Sequence, residues 1–425
     1  METKCISEIN LRTDNQVTKK NKPYYENYIQ SVIPIEKNAL EIDHLSFDSS
    51  TSIKSINSIR KKELCKETVL IMQGGGSLGA YECGVYKVLE KHNIKFDIVA
   101  GTSIGAINAS IIAGTKTDTP ALALEDFWYS LAENSTSSYF SDELRSYYSS
   151  MYAAIFGNPN VFIPIWLKPF SYYSYINSNY IYDLTPLKNK ITEYIDFEKI
   201  TTDSSPRLIL TATDIQKGEL IKFDSKKDRI DLNTILGCAG FPFYGIKWTR
   251  KDDKYLWDGA LESNTPLKAI LDSSPKFNKL VYMINLFPRV QSELPKNLLE
   301  VWHRARDIIY SDKTQSNIDL YNSISEYIFL LKEMNEIISN NESCLDFDAK
   351  FKFKKIQKLY NKLVVDSGAI LEKIIRIERT ERIHFLFEDV DFSLKTIKKL
   401  VKQGEQDAEL EISKQKCENP LVLTM

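Results

Sequence analysis

The pentapeptide GTSIG, Gly101 to Gly105, contains the residue types of a nucleophilic site. It places Ser103 between two glycines, directly after a short apolar run. Glycines around a serine permit a tight turn from strand to helix, and this turn exposes the serine hydroxyl. The helix that follows directs its N-terminus at Ser103, where negative charge is favoured. The pattern therefore predicts nucleophilic catalysis by Ser103.

The hexapeptide GGGSLG, residues 74–79, fits two kinds of site. GxGxxG is typical of a dinucleotide-binding loop, but that loop requires an acid about 20 residues further on, at the end of the second strand. Here the second strand ends in GTSIG instead. The backbone N–H groups of Gly74, Gly75 and Gly76 can approach a substrate carbonyl, and the N–H of Ile104 follows the nucleophile directly. We therefore expect an oxyanion hole from these four residues.

A serine nucleophile also needs a general base. None of the four histidines falls in a strand-end loop of the predicted core; they are His44, His92, His303 and His384. Asp258 does, because it follows the run Tyr255-Leu256-Trp257 and precedes Gly259. Asp214, at the end of another predicted strand, is the second candidate. In a dry pocket the pKa of a carboxyl rises, so that the carboxylate becomes an effective base.

These motifs require a rigid sheet to position them. Short apolar runs with β character alternate with segments of helical spacing; the runs are 69–72, 98–100, 207–213, 220–223 and 279–286. Alternating strands and helices predict a mostly parallel central sheet between two helical layers, a three-layer α/β/α sandwich. After Pro288 the spacing is helical, which predicts a C-terminal helical extension.

The domain organisation follows from shifts in composition along the chain. The predicted parts are a flexible arm and linker at 1–66, a catalytic domain at 67–290, a helical domain at 291–410 and a loose tail at 411–425. An aromatic-rich cap is inserted at 127–200, since residues 127–182 hold 17 of the chain's 48 aromatic residues. These side chains form either the core of a helical cap or the wall of an apolar pocket, and the two interpretations are compatible.

Composition excludes several classes of partner. The chain has 425 residues with 55 basic and 57 acidic side chains, so it lacks the basic excess expected of a nucleic-acid-binding protein. The six cysteines form no CxxC pair, and no metal or other cofactor is expected. No secretory signal or membrane span is visible, which predicts a cytoplasmic location. The lysine-rich segment 350–362 favours a solvated helix face over docking on an anionic membrane.

Three motifs in this order, GGGSLG at 74–79, GTSIG at 101–105 and DGA at 258–260, resemble the patatin-like phospholipase family. The resemblance covers about 67–290 and implies that Ser103 and Asp258 form a catalytic dyad without histidine. The remaining motif residues that it carries over are Gly79, Gly101, Gly105, Gly259 and Ala260. Residues 291–410 resemble a C-terminal domain of unknown function that is appended in one bacterial subgroup.

The resemblance implies a serine acyl hydrolase that cleaves lipid esters at a membrane surface. Many members of the family carry Arg or Lys where this chain has Leu78, so the lipid head group stays open. Two other functions stay open as well. One is a non-catalytic scaffold that binds lipids or acyl chains, and the other, based on GxGxxG alone, is a nucleotide-binding oxidoreductase.

Overall fold

The structure is a computed structural model. It describes residues 66–133, 141–167, 178–291, 293–311, 314–380 and 388–418. Three features considered in the sequence therefore lie outside the described residues: the N-terminal arm up to residue 65, His44 and His384.

The strands among the described residues are β1 Lys66–Met72, β2 Ile98–Thr102, β3 Ile163–Pro164, β4 Tyr182–Asp183, β5 Arg207–Asp214, β6 Glu219–Asp224, β7 Thr249–Lys251, β8 Lys254–Asp258, β9 Asn278–Asn285 and β10 Leu371–Glu378. The helices are α1 Gly79–Lys91, α2 Ile104–Gly114, α3 Pro120–Leu131, α4 Asp142–Phe156, α5 Thr185–Tyr194, α6 Leu232–Cys238, α7 Leu267–Ser273, α8 Leu298–Tyr310, α9 Thr314–Asn340, α10 Phe347–Tyr360 and α11 Leu394–Glu418. Short 3₁₀ turns include Gly76–Leu78, Pro242–Tyr244, Gly259–Leu261 and Glu388–Val390.

The main sheet has the strand order β10-β9-β1-β2-β5-β8-β7, with β6 paired to β5. Pairings among β10, β9, β1, β2 and β5 are parallel, whereas β6, β7 and β8 run antiparallel to their neighbours. The carboxyl ends of the parallel strands therefore meet at one edge. Both glycine motifs lie at this edge, since GGGSLG follows β1 and GTSIG begins in the last two residues of β2.

Successive residues of the central strands alternate between two buried layers. In β1, Leu70 and Met72 pack in the cluster that contains side chains of α1, α2, α3 and α11. Val69 and Ile71 pack on the opposite face, with α7 and with Ile318 of α9. A strand that is covered on both faces needs a continuous apolar run, which is what Val69 to Met72 supply. The predicted three-layer sandwich with a mostly parallel sheet is confirmed.

The C-terminal extension is mostly helical, as predicted, but one part of it is a strand. Residues 371–378 form β10, which pairs in parallel with β9 at the edge of the main sheet. Ile375 and Ile377 are buried against the core, whereas Glu372 and Glu378 face solvent. This alternation has the period of a strand, so the prediction of further helices is wrong for this segment. Residues on both sides of the expected boundary at 290/291 therefore contribute to one sheet.

The tail predicted to be loose from residue 411 is helical as far as Glu418, where the described residues end. Ala408 and Ile412 are buried on the same face of α11, so the packing seam against α1 continues past the expected end. Across the described residues, no helix has both the length and the apolar character needed to cross a bilayer.

Candidate active site

Ser103 lies in a strained turn between β2 and α2. Its backbone has φ 56° and ψ −126°, a conformation that side-chain-bearing residues rarely adopt. The flanking glycines make the turn possible: a Cβ on Gly101 would lie 2.1 Å from the carbonyl oxygen of Gly105, and one on Gly105 would lie 2.4 Å from that of Met72. Strain of this kind is typical of functional turns. The local geometry thus agrees with an exposed nucleophile at the N-terminus of α2.

Asp258 reaches the same edge of the sheet from an antiparallel strand. In the sheet register Thr102 pairs with Thr211, and the next residue of β5, Ala212, pairs with Asp258. Only β5 therefore separates the strands that carry Ser103 and Asp258. Because paired side chains share a face, the small side chain of Ala212 leaves room for the carboxyl group beside the serine turn.

The carboxyl group of Asp258 is fully buried. Its Oδ1 accepts a hydrogen bond from the N–H of Ala260 at 2.9 Å. Burial raises the pKa of Asp258 to about 7, and this rise is opposed by interactions with the Ser103 hydroxyl and the Ala260 amide. Its Oδ2 has no partner with full hydrogen-bond geometry in the described part of the chain. The carboxyl group thus faces a serine hydroxyl and has a pKa near neutrality.

The second candidate acid, Asp214, has a different local role. Its Oδ1 accepts hydrogen bonds from the N–H groups of Gln216 at 3.0 Å and Lys217 at 3.4 Å. These contacts close the turn between β5 and β6. Asp214 is buried and its carboxyl group bonds to these amides, whereas the carboxyl group of Asp258 interacts with the Ser103 hydroxyl. The structure therefore brings Asp258, and not Asp214, to Ser103.

The predicted oxyanion residues divide into two groups. The N–H of Gly74 donates to Oδ1 of Asn264 at 3.0 Å, and the side-chain amide of Asn264 donates back to the Gly74 carbonyl at 3.1 Å. Within the described residues, no hydrogen bond takes up the N–H groups of Gly75, Gly76 or Ile104. All three residues line the cavity beside Ser103. Gly74 is therefore a structural part of the loop, and the other three amides can receive an oxyanion.

The 3₁₀ turn Glu388–Val390 supports the glycine loop from behind. Gly76 has φ +56°, and a Cβ there would lie 2.1 Å from the carbonyl oxygen of Asp389. Ser77 donates its hydroxyl proton to the carbonyl of Glu388 at 2.8 Å. The C-terminal part of the chain thus fixes the position of the candidate oxyanion amides.

A buried charged cluster holds this turn in place. Nη1 of Arg306 donates to Asp389 Oδ1 at 2.9 Å, and its Nη2 donates to Glu388 Oε1 at 3.1 Å. Arg379 contacts the other carboxylate oxygen of Glu388 at 2.9 Å. The Tyr244 hydroxyl donates to Asp389 Oδ2. Breaking one partner of such a buried set leaves an uncompensated charge, so each contact constrains the turn.

Ser103 opens into a cavity of about 380 Å³ whose walls are mainly apolar. The inner wall contains side chains from the predicted catalytic domain, including Ile107, Val161, Phe162, Leu184 and Leu187. The C-terminal extension adds Tyr310, Asp389, Val390 and Phe392. A cavity of this size and character accommodates an acyl chain.

The aromatic residues of the predicted insert lie in two different places. Phe127 and Trp128 are fully buried in the core, where their rings meet edge to face with centroids 6.0 Å apart. Phe162 and Tyr182 line the cavity instead, and their centroids are 5.1 Å apart. The insert therefore contributes to the helical layer and to the cavity wall.

The two described histidines take part in other contacts. His92 bonds to Glu409 at 2.8 Å, and His303 bonds to Arg306 at 3.0 Å. Neither residue is among those lining the cavity.

Sequence reasoning missed the roles of Asn264 and of the charged cluster. Asn264 stands six residues after Asp258, outside the three motifs that carry the resemblance. The available signal was the amide side chain itself, which can bond to both the N–H and the carbonyl of one backbone residue. Arg306 and Asp389 gave no usable signal, because they are 83 residues apart and meet only through tertiary packing.

Part of the chain matches a known protein family. The family model for patatin-like phospholipases matches residues 70–271, just under half of the chain. The chain is 45% identical over 53 residues to the lysophospholipase nte1 of Aspergillus terreus, a stretch that covers 12% of this chain and 4% of that protein. It is 33% identical over 64 residues to the triacylglycerol lipase SDP1L of Arabidopsis thaliana, covering 15% and 8%. The chain thus spans less than a tenth of the length of these curated relatives.

Among solved structures, VipD from Legionella pneumophila overlaps 82% of this chain and 67% of its own, with 13% identity and a TM-score of 0.35. This overlap is too loose to support an argument about the present chain. The family match is different in kind, because residues 70–271 contain both glycine motifs and Asp258. The chain therefore carries a patatin-like phospholipase domain at residues 70–271.

Proposed function

We propose that the protein is a serine acyl hydrolase that cleaves lipid esters with a dyad of Ser103 and Asp258. The observation that supports this most directly is the strained Ser103, which faces a fully buried carboxyl group and opens into an apolar cavity. Phospholipids and lysophospholipids are the substrate class, by analogy with the family and with the lysophospholipase relative. Such substrates reside in membranes, so the protein acts as a peripheral enzyme at a lipid surface.

Asp258 acts as the general base in the first step. Its ionised carboxylate accepts the proton of the Ser103 hydroxyl while the serine oxygen attacks the ester carbonyl carbon. The resulting oxyanion lies against the N–H groups of Gly75, Gly76 and Ile104. Each donor of this kind lowers the barrier by about 3–4 kcal/mol. The positive end of α2 adds to this stabilisation.

The tetrahedral intermediate collapses by breaking the bond to the alcohol oxygen. Asp258 returns its proton to that oxygen, so that a neutral alcohol leaves and an acyl ester of Ser103 remains. A water molecule then attacks this ester and gives its proton to Asp258. Asp258 passes this proton to the Ser103 oxygen as the acyl bond breaks, so that the fatty acid leaves and both residues return to their starting forms. A pKa of about 7 suits a group that must both accept and return a proton.

The test is covalent labelling with a fluorophosphonate probe that carries an acyl-like chain. We expect one adduct, located at Ser103 by mass spectrometry, and no adduct in Ser103→Ala. Ser150→Ala is the matched control, because Ser150 is the other serine that lines the cavity, and it should label like the wild type. An unlabelled, folded wild type that still binds fatty acid would favour the non-catalytic scaffold and contradict the proposal.

A further inference from the structure

Helix α4 is amphipathic in the opposite sense to a normal surface helix. Its buried residues are small or polar: Arg145, Ser146, Ser149, Ser150 and Ala153. Its large apolar residues are about half exposed: Leu144, Tyr147, Tyr148, Tyr152, Ile155 and Phe156. We call these six residues the outer face of α4. A surface helix normally buries its apolar stripe, so the exposure of this face marks it as an interaction surface.

Polar contacts fix this orientation. The guanidinium group of Arg145 donates to Ser393 at 3.3 Å and to Thr396 at 3.2 Å, both at the start of α11. Ser149 donates to the carboxylate of Glu133 at 2.7 Å. Rotating the helix to bury its apolar side would break all three hydrogen bonds. The exposure of the outer face is therefore a property of the fold.

The exposed apolar surface is continuous with the cavity. Met151 on α4, Ile181 and Phe243 are all exposed, and all three also line the cavity that contains Ser103. Phe243, in the turn Pro242–Tyr244, is 79% exposed. These three residues border the opening of the cavity. Helix α4 therefore carries the outer face and, through Met151, also forms part of the cavity opening.

We propose that the outer face of α4 and the Phe243 turn dock together on a lipid surface, from which the acyl chain enters the cavity. This inference rests on the proposed function. Tyrosine and phenylalanine are suited to the membrane–water interface, because their rings are apolar and the tyrosine hydroxyl remains hydrated. The six side chains of the outer face carry no charge. Docking is therefore driven by apolar insertion and does not depend on anionic lipid.

Lipid binding by the lysine-rich helix α10 would depend on different conditions. Phe347, Phe351 and Ile356 are exposed there beside several lysines. A basic surface of this type would need anionic lipid, and its binding would weaken in salt, because the Debye length falls from about 10 Å at 0.1 M to about 3 Å at 1 M. Lipid charge and salt therefore separate the two surfaces.

The experiment uses full-length Ser103→Ala, so that the vesicles stay intact during measurement. Binding to vesicles of pure phosphatidylcholine is measured by flotation at about 0.1 M and about 1 M salt. We expect binding at both concentrations. Adding Leu144→Ser, Tyr147→Ser and Ile155→Ser should weaken the partition coefficient at least ~10-fold, since each removes inserted apolar surface. A matched control carries serine at Leu320, Phe329 and Ile337, which are equally exposed on α9, and should bind like the parent.

Four results would overturn the inference: no binding to neutral vesicles, binding only to anionic vesicles with loss in high salt, equal binding by the α4 triple variant, or equal weakening by the α9 control. So would a lipid-free dimer that the α4 triple variant abolishes, because the outer face would then be a protein interface. The same three substitutions are also made in the protein that retains Ser103. This variant should turn over a soluble short-chain ester within about twofold of the wild type, since none of the three residues lines the cavity, but it should lose turnover on vesicles. Failure of probe labelling at Ser103 would refute the hydrolase and leave the binding results unchanged.

Discussion

Replacing Asp258 by asparagine should inactivate the protein and at the same time stabilise it. The carboxyl group is fully buried, and burial raises its pKa from 3.8 to about 7. A difference of this size between folded and unfolded states corresponds to about 4 kcal/mol at a pH above both values. The ionised form thus destabilises the fold, and the neutral amide of asparagine removes this cost while keeping the shape and the contact with Ala260.

The sign follows from proton binding. Between about pH 4 and about pH 7 the unfolded chain has lost the proton that the folded chain still holds, so wild-type stability falls as the pH rises. The variant lacks this titration. Its advantage in the free energy of unfolding should therefore be small near pH 4 and should grow by about 2–3 kcal/mol between about pH 5 and about pH 8. Comparing variant with wild type cancels the titration of all other groups.

Two measurements test the prediction. Urea unfolding of both proteins across this pH range gives the stability difference, and turnover of a p-nitrophenyl acyl ester gives kcat. We expect kcat to fall at least ~10²-fold in the variant, and wild-type kcat/KM to rise with pH through about 7 as the base ionises. A stability difference that does not change with pH would show that the carboxylate is not desolvated. A variant with near wild-type kcat would show that Asp258 is not the base.

The other predictions concern the surroundings of the dyad. Gly76→Ala should lower both kcat and the melting temperature, because Gly76 has φ +56° and a Cβ would collide with the carbonyl of Asp389; an unchanged kcat would contradict an oxyanion role for this loop. Asp214→Asn should keep kcat within about threefold of wild type, since Asp214 closes a turn outside the cavity; a collapse of kcat at unchanged stability would reverse the choice of acid. Asp389→Ala should lower the free energy of unfolding in urea by about 2 kcal/mol, because Arg306 loses one of its buried carboxylate partners and the Tyr244 hydroxyl loses its acceptor, while Glu388 stays paired with Arg306; a loss below about 0.5 kcal/mol would show that the cluster is not coupled to folding.

The sequence predicts the central part of the fold because local patterns encode it, and the same kind of pattern points to the two residues of the proposed dyad. Apolar runs such as Val69 to Met72 mark strands that are covered on both faces, and Gly101 and Gly105 mark a turn that no larger residue could form. Asp258 and Asp214 both lie at the ends of predicted strands, and the DGA motif of the family resemblance contains Asp258. Asp258 lies opposite Ala212 because β5 and β8 pair in the antiparallel direction. The order of the motifs along the chain does not predict this pairing.

Strand β10 was missed for a related reason. The segment 371–378 alternates buried and exposed residues, but it lies between long helical patterns, and its partner β9 is more than 80 residues earlier in the chain. The role of Gly74 was also misjudged. A glycine triplet supplies three amides, and only the position of Asn264 decides that the first amide is already used for structure.

The region beyond the family match supports the proposed active site. Residues 70–271 contain the proposed nucleophile, the proposed base and the glycine loop, but the support behind that loop comes from Glu388 and Asp389. Arg306 and Arg379 form ion pairs with these acids. Arg379 directly follows β10, and it also donates a hydrogen bond to the carbonyl of Leu286, the residue after β9. Because oxyanion donors act through fixed positions, an edge strand that anchors Arg379 also constrains the amides of Gly75 and Gly76. Sheet completion and site preorganisation are therefore parts of the same structural arrangement.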